Sequence, residues 1–358
     1  MARKLKFQPK KNQPGLFDLT GDLFAPADAV RQEEYVHPSI QDFVVNVAAA
    51  REAESRDKKA ADPMEEMEVD SDALNAIDAL TFISFGSGSS GNCAYLGDSK
   101  CGFLIDAGVD ADKVKTALKA NGLSFDNVKG ICLTHDHGDH VRYAYTLVRK
   151  HPHIGVYCTP KALSGLLRRH NISRRIKDYH RPIYKEFPFK IGDFEITAFE
   201  VSHDGTDNSG YFITHGNHRF AIATDLGCIT PRVDYYMRQA NYVMLESNYD
   251  AHMLQTGPYP MHLKARIAAA NGHLDNVETG RFLSEIQSPQ LRYVFLCHLS
   301  QDNNTPDTAL SEVRSALLRA GVKGVGDGSG SLESRICAVQ LVALPRFEAS
   351  QLYSLRLE

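Results

Sequence analysis

The stretch Leu133-Thr134-His135-Asp136-His137-Gly138-Asp139-His140 decides how the rest of this chain is interpreted. An apolar run over 130–133 precedes it and predicts a short buried strand, and an amphipathic run over 141–148 follows it and predicts a helix. The stretch therefore lies on a strand-to-helix loop, where side chains can converge between rigid elements. Imidazole nitrogens and carboxylate oxygens suit Zn, Mn or Fe. The alternative is a polar surface loop, but so dense an alternation of ligand types is rare by chance. The candidate ligands are His135, His137, Asp139 and His140.

Polar side chains recur at the ends of other predicted strands. His203 follows the alternating run 194–201, Asp225 follows the run 219–224, and His298 follows the apolar run 293–297. Strands whose carboxyl ends each deliver a polar side chain place those side chains along one edge of a sheet sandwich. The same pattern adds Glu246, after 242–245, and a further strand is predicted over 102–108.

Two further features suit an anionic ligand. The turn 86–92 is rich in glycine and serine, and a nest of backbone N–H groups there can hold a phosphate, although a tight hairpin turn explains it equally well. Exposed cations can track phosphates, or they can be a solvated helix face. The candidate cations are Arg142, Arg168, Arg169, Arg174, Arg175, Lys177, Lys264 and Arg266.

Composition limits the class of protein. The 358 residues are 43% hydrophobic and 23% charged, which is ordinary for a globular protein with a substantial core. The formal net charge is only -4, so any nucleic-acid binding must come from a local patch. The seven cysteines include no CxxC pair and predict reduced thiols in a cytoplasmic protein. We expect neither a secretory signal nor contact with a membrane, because no apolar run approaches the roughly 18 residues that span one.

Residues 1–79 differ from the rest and predict a mostly irregular extension that precedes a catalytic domain over 80–358. The extension begins with basic residues and turns acidic over 51–72, so it buries too little apolar surface to fold alone, although a helix is plausible around 38–54. Within it, Gln13-Pro14-Gly15-Leu16-Phe17 resembles the Gln-x-x-Leu-Phe peptides that dock bacterial replication and repair proteins on the sliding clamp. The partner contacts would be Gln13, Leu16 and Phe17. The alternative is an arm that packs Leu16 and Phe17 on its own globular domain.

The order of these motifs resembles the metallo-β-lactamase fold over about residues 80–345. That resemblance implies an α/β protein, a four-layer αββα sandwich with two divalent metal ions (Zn, Mn or Fe) at one edge. It implies that His135, His137 and His203 hold one ion and that Asp139, His140 and His298 hold the other. Asp225 would bridge the two ions. Asp106 would support the ligand loop from behind.

Finer motifs are similar to the YycJ/WalJ group of bacterial exonucleases on that fold, and only the long N-terminal extension departs from its usual short members. These motifs are Ser87-Gly88-Ser89-Ser90-Gly91-Asn92, Glu246-Ser247-Asn248-Tyr249-Asp250, Gly257-Pro258-Tyr259-Pro260, Gly272-His273-Leu274-Asp275-Asn276 and His298-Leu299-Ser300-Gln301-Asp302-Asn303-Asn304.

A proton donor for the leaving group is the remaining chemical requirement. His273 and Glu246 resemble the His and Glu motifs of ribonuclease Z, and we assign them, with Asp139, to catalysis. The alternative for both is the capping of a helix, His273 just before Asn276 and Glu246 at the end of its strand. Asn92 is a further candidate contact to a phosphate or to a water of the metal site.

The resemblance implies a metal-dependent phosphodiesterase, a DNA exonuclease that digests in the 5′-to-3′ direction with hydroxide activated by two metal ions. Two alternatives remain open from the residues. One is a hydrolase of a small thioester or cyclic phosphodiester. The other is a non-enzymatic scaffold with a relic metal site.

Overall fold

A computed structural model describes residues 79–357 of the protein. Two β-sheets pack face to face there, and the first has seven strands in the spatial order β15-β1-β2-β3-β4-β5-β6. Its middle strands β3, β4 and β5 run parallel, and β1 and β15 pair antiparallel at one side. The strands of this sheet are β1 (Leu80–Gly86), β2 (Cys93–Gly97), β3 (Gly102–Ile105), β4 (Val128–Cys132), β5 (Gly155–Cys158), β6 (His180–Pro182) and β15 (Tyr353–Leu355).

The second sheet has eight strands in the order β13-β14-β12-β11-β10-β9-β8-β7. Its strands β10, β11, β12 and β14 are mutually parallel, so their carboxyl ends lie at one edge. The strands are β7 (Phe189–Ile191), β8 (Phe194–Glu200), β9 (Ser209–His215), β10 (His218–Ala223), β11 (Tyr242–Glu246), β12 (Tyr293–Cys297), β13 (Val325–Gly326) and β14 (Val339–Ala343).

Successive apolar side chains along the strands point to opposite faces of each sheet, and they form three apolar layers. In β1, Phe82 packs between the sheets while Ile83 faces the helices outside the first sheet, and in β12 the inward residue is Phe295. Because neighbouring side chains on a strand face opposite sides, burial of both indicates a sheet that is covered on each side. The covering helices are α1 (Ala111–Ala120), α2 (Gly138–Val141), α3 (Ala144–Lys150), α4 (Pro160–Arg169), α5 (Pro231–Met237), α6 (Ala251–Thr256), α7 (Met261–Ile267), α8 (Asn276–Ile286), α9 (Pro306–Arg319) and α10 (Leu332–Arg335).

This arrangement confirms the predicted four-layer αββα sandwich. Two predicted elements end elsewhere than the sequence pattern indicated. The helix expected over 141–148 is divided into α2 and α3, and the strand expected over 102–108 stops at Ile105. It stops because the next residue, Asp106, takes a left-handed backbone angle (φ 61°), which a strand does not accommodate.

The predicted N-terminal extension, including Gln13, Leu16 and Phe17, lies outside the described residues apart from Ala79, so the boundary at residue 80 and the clamp contact stay predictions. Within residues 79–357, none of the helices has the length and apolar character that crossing a membrane requires.

Candidate metal centre

The candidate residues meet at one edge of the sandwich, beyond the carboxyl ends of the strands. The loop after β4 carries His135 to His140, the segment after β8 carries His203, and β10 and β12 lead to Asp225 and His298. Because these strands point the same way, side chains more than 160 positions apart in sequence converge on one site. The sequence predicted this convergence from strand ends alone.

Three imidazoles form what we call the first donor group: His135, His137 and His203. One ring nitrogen of each lies within 4.8 Å of those of the others. His203 Nε2 is 3.3 Å from His137 Nδ1, and the other nitrogen of His203, Nδ1, is 2.9 Å from the carbonyl oxygen of Gly272. Donation from Nδ1–H to that carbonyl leaves the Nε2 lone pair directed into the site.

A second donor group consists of Asp139, His140 and His298, whose donor atoms also lie within 4.8 Å of one another. Both histidine Nε2 atoms are 3.6 Å from Asp139 Oδ2. Asp225 lies between the two groups: one of its oxygens is 3.2 Å from His140 Nε2 and the other is 3.8 Å from His203 Nε2. Asp225 therefore faces both donor groups.

A buried carboxylate supports His140 from behind. Asp106 Oδ2 is 2.7 Å from His140 Nδ1 and accepts the Thr134 hydroxyl at 2.8 Å, while Oδ1 accepts the Thr134 backbone N–H at 2.8 Å. The Thr134 hydroxyl also lies 3.0 Å from His135 Nδ1, so one threonine links both donor groups. Asp106 thus has the supporting position that the resemblance implied.

Glu246 holds a pair of histidines on the other side of the centre. Its Oε1 is 2.7 Å from His273 Nδ1 and 2.8 Å from His298 Nδ1, and its Oε2 accepts the backbone N–H groups of Leu226 and Leu274. Neither amide opens a helix, so Glu246 is not a helix cap.

His273 does not cap a helix either. The N-cap of α8 is Asp275, whose carboxylate accepts the N–H of Glu278. The His273 ring instead stands 5.1 Å from the His203 ring and 5.2 Å from the His298 ring, centroid to centroid. The structure therefore brings His273 and Glu246 to the donor groups and removes the capping alternative for both.

The support of His137 lies nearer the solvent. His137 Nε2 is 3.3 Å from Asp204 Oδ1, and the Arg266 guanidinium donates to Asp204 Oδ2 at 2.6–2.7 Å. Asp204 is about a quarter exposed. Arg266 was a candidate phosphate contact, but in the structure it holds the carboxylate that orients a donor histidine.

Burial and charge separate the two groups electrostatically. Desolvation, reinforced by His140, lowers the pKa of His135 well below its usual value, and desolvation together with His203 lowers that of His137. Desolvation also acts on His298, but Asp225 and its neighbouring carboxylates outweigh it and raise the pKa to about 10. The pKa of His140 is raised well above its usual value for the same reason. These shifts favour the neutral form of His135 and His137 near pH 7, and the cationic form of His140 and His298 beside their carboxylates.

Unpartnered atoms test whether this site fits a metal ion. His135 Nε2, His298 Nε2 and Asp225 Oδ2 are buried and have no hydrogen-bond partner. Leaving buried polar atoms unsatisfied is costly, and such atoms are rare in native proteins unless an ion or a water completes them. All three belong to the convergent sets. The nitrogen and oxygen donors therefore fit divalent metal ions.

The glycine- and serine-rich turn touches the centre directly. The Ser87 hydroxyl accepts the backbone N–H of His298 at 2.9 Å, and the Asn92 amide nitrogen lies 3.3 Å from Asp139 Oδ2 and 2.9 Å from His140 Nε2. Asn92 also closes the turn through hydrogen bonds to both backbone groups of Gly88. The turn is thus a tight connection and also a wall of the site.

The predicted cations are mostly exposed, but four of them, Arg169, Arg175, Lys264 and Arg266, are already engaged by other groups. Arg169 Nε is 3.6 Å from Asp136, a buried carboxylate that also accepts the Thr206 backbone N–H, and Arg175 pairs with Asp178 at 3.8 Å. Lys264 donates to the backbone carbonyl of Gln255. Arg142, next to the donor loop, has no such contact to a carboxylate among residues 79–357.

Sequence reasoning missed the residues that position the donors. The quoted motifs contain Thr134 and Asn248, but nothing in the sequence marks these two or Asp204 as contacts of the donors. Threonine, aspartate and asparagine are common beside strand ends. Asp204 stands next to His203 in sequence, but only the fold places it against His137. Asn248 donates to the His298 carbonyl at 2.7 Å, and Asn304 holds the backbone of Ser247 and Asn248.

The chain is similar to known proteins in sequence and in fold. The model of the β-lactamase superfamily domain matches residues 102–298. Exodeoxyribonuclease YycJ of Bacillus anthracis is 32% identical over 254 residues, which cover 69% of this chain and 92% of that protein. Exodeoxyribonuclease WalJ of Streptococcus pneumoniae is 29% identical over 241 residues, covering 67% and 88%. The crystal structure of the metallo-β-lactamase fold protein YhfI from Bacillus subtilis superposes with a TM-score of 0.55 at 15% identity, over 78% of this chain and all of that one, and shows likeness of fold.

Proposed function

Because the chain belongs to the β-lactamase superfamily and is a hydrolase of the metallo-β-lactamase fold, we propose that it is a metal-dependent phosphodiesterase that degrades DNA from an end. The observation that carries the proposal is the pair of donor groups joined by Asp225, with unpartnered buried atoms directed into the space between them. Similarity to two proteins named exodeoxyribonucleases supports DNA as the substrate.

In this proposal the first donor group would hold one divalent ion and the second would hold another, with Asp225 as a donor shared between the groups. Such ions, when bound, would supply an activated water and neutralise the charge of a phosphodiester. The rest of the chemistry belongs to the protein. Asp106 and Asp204 fix the rings of His140 and His137, and Asn92 stands beside the Asp139 carboxylate. The nitrogen and oxygen donor set accepts Zn, Mn or Fe.

His273 is the proposed general acid. The Glu246 carboxylate faces His273 Nδ1, so the opposite ring nitrogen is available to give a proton to the leaving alkoxide of the sugar. Desolvation of His273 is outweighed by Glu246, and its pKa is raised above the usual histidine value, which favours the protonated form. Asp139 completes the proposed catalytic residues.

The test is an end-labelled DNA assay with added Mn²⁺ or Zn²⁺. We expect mononucleotide release from DNA, with a 5′ label lost before a 3′ label if digestion runs 5′ to 3′. His137→Ala should abolish release, while His153→Ala, the same change at an exposed residue outside the site, should leave it unchanged. Hydrolysis of a small diester without any release from DNA would contradict the proposal and favour a small-molecule hydrolase. Metal binding without hydrolysis of either substrate would favour the scaffold alternative.

The clamp contact of Gln13, Leu16 and Phe17 and the cytoplasmic location stay predictions. For the clamp, a peptide of residues 8–22 should bind it in a titration, and no binding at high micromolar concentration would end the idea.

A further inference from the structure

A small cleft lies beside the glycine- and serine-rich turn. Its volume is about 130 Å³, and its walls include Ser90, Gly91 and three cations, Lys113, Arg142 and Arg346. A cavity of this size is well below the roughly 300 Å³ at which pockets for whole small molecules begin. It suits a single phosphate group.

The segments that carry the metal donors also build this cleft. Ser90 and Gly91 precede Asn92, which contacts the Asp139 carboxylate. Gly108 packs so closely on the backbone of Asp139 that a Cβ atom there would lie 1.5 Å from the carbonyl oxygen of Asp139.

Two of the three cations are fixed to the same segments. Arg142 follows His140 by two positions. The Arg346 guanidinium donates at 2.5 Å to the carbonyl of Leu299, the residue after His298. A group bound in the cleft would therefore lie next to the metal centre.

The charge balance of the cleft is positive. Its one carboxylate, Asp110, already accepts the backbone N–H groups of Asp112 and Lys113 as the N-cap of α1. Among residues 79–357, none of the three cations has a carboxylate at ion-pair distance. Three cations around one phosphate-sized space are a pattern for binding the nucleic-acid backbone.

An apolar groove continues from the cleft along α1. It has a volume of about 560 Å³ and shares Phe85, Asp110, Lys113 and Phe347 with the cleft. Phe347 is 61% exposed, and the Arg346 guanidinium lies 5.6 Å from the centroid of its ring. Two further carboxylates border the groove: Asp112, which pairs with Lys150 at 3.0 Å, and Glu348, which is exposed. An exposed aromatic face beside a cationic track is what a nucleobase can stack on.

We propose that the cleft binds a backbone phosphate of one DNA strand next to the scissile bond, and that the neighbouring base stacks on Phe347 in the groove. This inference rests on the proposed function and assigns part of its substrate site. A small diester lacks the neighbouring phosphate and base that these two surfaces would hold, so comparing it with DNA separates binding at these surfaces from hydrolysis at the metal centre.

The experiment compares kcat/KM for single-stranded DNA and for bis(p-nitrophenyl) phosphate. Phe347→Ala should lower the value for DNA about tenfold, because stacking contributes that much per base, and leave the small diester unchanged. Tyr235→Ala, at an aromatic residue of similar exposure on α5, should change neither value. Arg142→Gln should lower kcat/KM for DNA. It should also reduce the slope of log KM against log salt concentration by about 0.7, because each phosphate contact on a single strand contributes about that much to the slope. Its matched control is Arg149→Gln, at an exposed residue of α3.

The outcomes separate the inference from the proposed function. Full DNA activity in both Phe347→Ala and Arg142→Gln, in an enzyme that degrades DNA, would overturn the inference alone. Equal losses on both substrates would show a structural role and would also overturn it. No hydrolysis of DNA by the unmodified protein would overturn the inference together with the proposed function.

Discussion

The two donor groups lie within one site, yet the protein holds them in different ways. The second group is backed by carboxylates that water does not reach: Asp106 behind His140, and Glu246 behind His298. The first group depends on a threonine hydroxyl, a backbone carbonyl and Asp204, which is partly exposed and shared with Arg266. Buried charge pairs are lost at a high cost when one partner is removed, whereas exposed pairs contribute little. The second group should therefore be rigid and intolerant of change, and the first more adaptable.

Backbone geometry reinforces this contrast. Among residues 79–357, three non-glycine residues have positive φ angles, and two of them, Asp106 and His298, belong to the second group or its support. Such angles persist only where contacts with the surrounding structure hold the residue in place, and they concentrate at functional sites. All three members of the first group lack this feature. Substitutions that act on both groups, or on only one of them, test this difference between the two groups.

The largest effect is expected for Asp225→Asn, which acts on both groups at once. The variant keeps the size of the side chain but replaces one of the oxygens that face His140, His203 and His298. DNA hydrolysis should fall by more than the roughly 100-fold that loss of an outer supporting residue costs. Steady-state kinetics and the metal content per chain measure it. Asp178→Asn, at an exposed aspartate, is the control, and unchanged activity with full metal content in Asp225→Asn would exclude a bridging role.

His273→Ala should follow, with a loss of about 10²-fold in kcat on DNA, because general-acid catalysis contributes at least that much. On a p-nitrophenyl ester of a nucleotide the loss should be small, since that leaving group departs without a proton. The control is His262→Ala on the exposed side of α7. Equal losses on both substrates would mean that His273 positions its neighbours and does not act as the acid.

Asp106→Asn tests the buried support of the second group. Asparagine tolerates the positive φ angle, so the change removes charge and one acceptor without adding backbone strain. Metal affinity should fall about 10- to 100-fold, as for other residues that orient a ligand histidine. The melting temperature should fall as well, because His140 loses its partner. Metal titration and thermal unfolding measure these effects, and wild-type affinity in the variant would contradict the rigid character of the second group.

Asp204→Asn should give the smallest effect, a loss of metal affinity below about tenfold, because Asp204 is partly exposed and water can replace it. Arg266→Gln should resemble it, since Arg266 acts on His137 only through Asp204. The metal titration used for Asp106→Asn measures the affinity of both variants. A loss as large as that of Asp106→Asn would remove the difference between the two groups.

The sequence predicted the donors well because each follows a strand, and parallel strands must align their ends. His135, His203, Asp225 and His298 are therefore found from periodicity and residue type alone. Glu246 also follows a strand, but its role, like Asp106 and His273, came from the resemblance, and the structure added the contacts of all three.

The remaining features depend on distances between segments that no local pattern encodes. The contact of Asp204 with His137, the link that Thr134 makes between Asp106 and His135, and the exposure of Phe347 beside Arg346 all require the fold. The division of the predicted helix over 141–148 into α2 and α3 likewise has no clear signal in the amphipathic pattern. Such positions are visible only once the two sheets are packed.

The most direct test of the central claim is the number of divalent ions that each chain binds when Mn²⁺ or Zn²⁺ is titrated into metal-stripped protein, measured by elemental analysis together with DNA hydrolysis in the same samples. We predict two ions per chain, with hydrolysis restored only as both sites fill and lost again on chelation. No more than one ion per chain at saturation, or full hydrolysis of DNA by the stripped protein in excess chelator, would contradict this prediction.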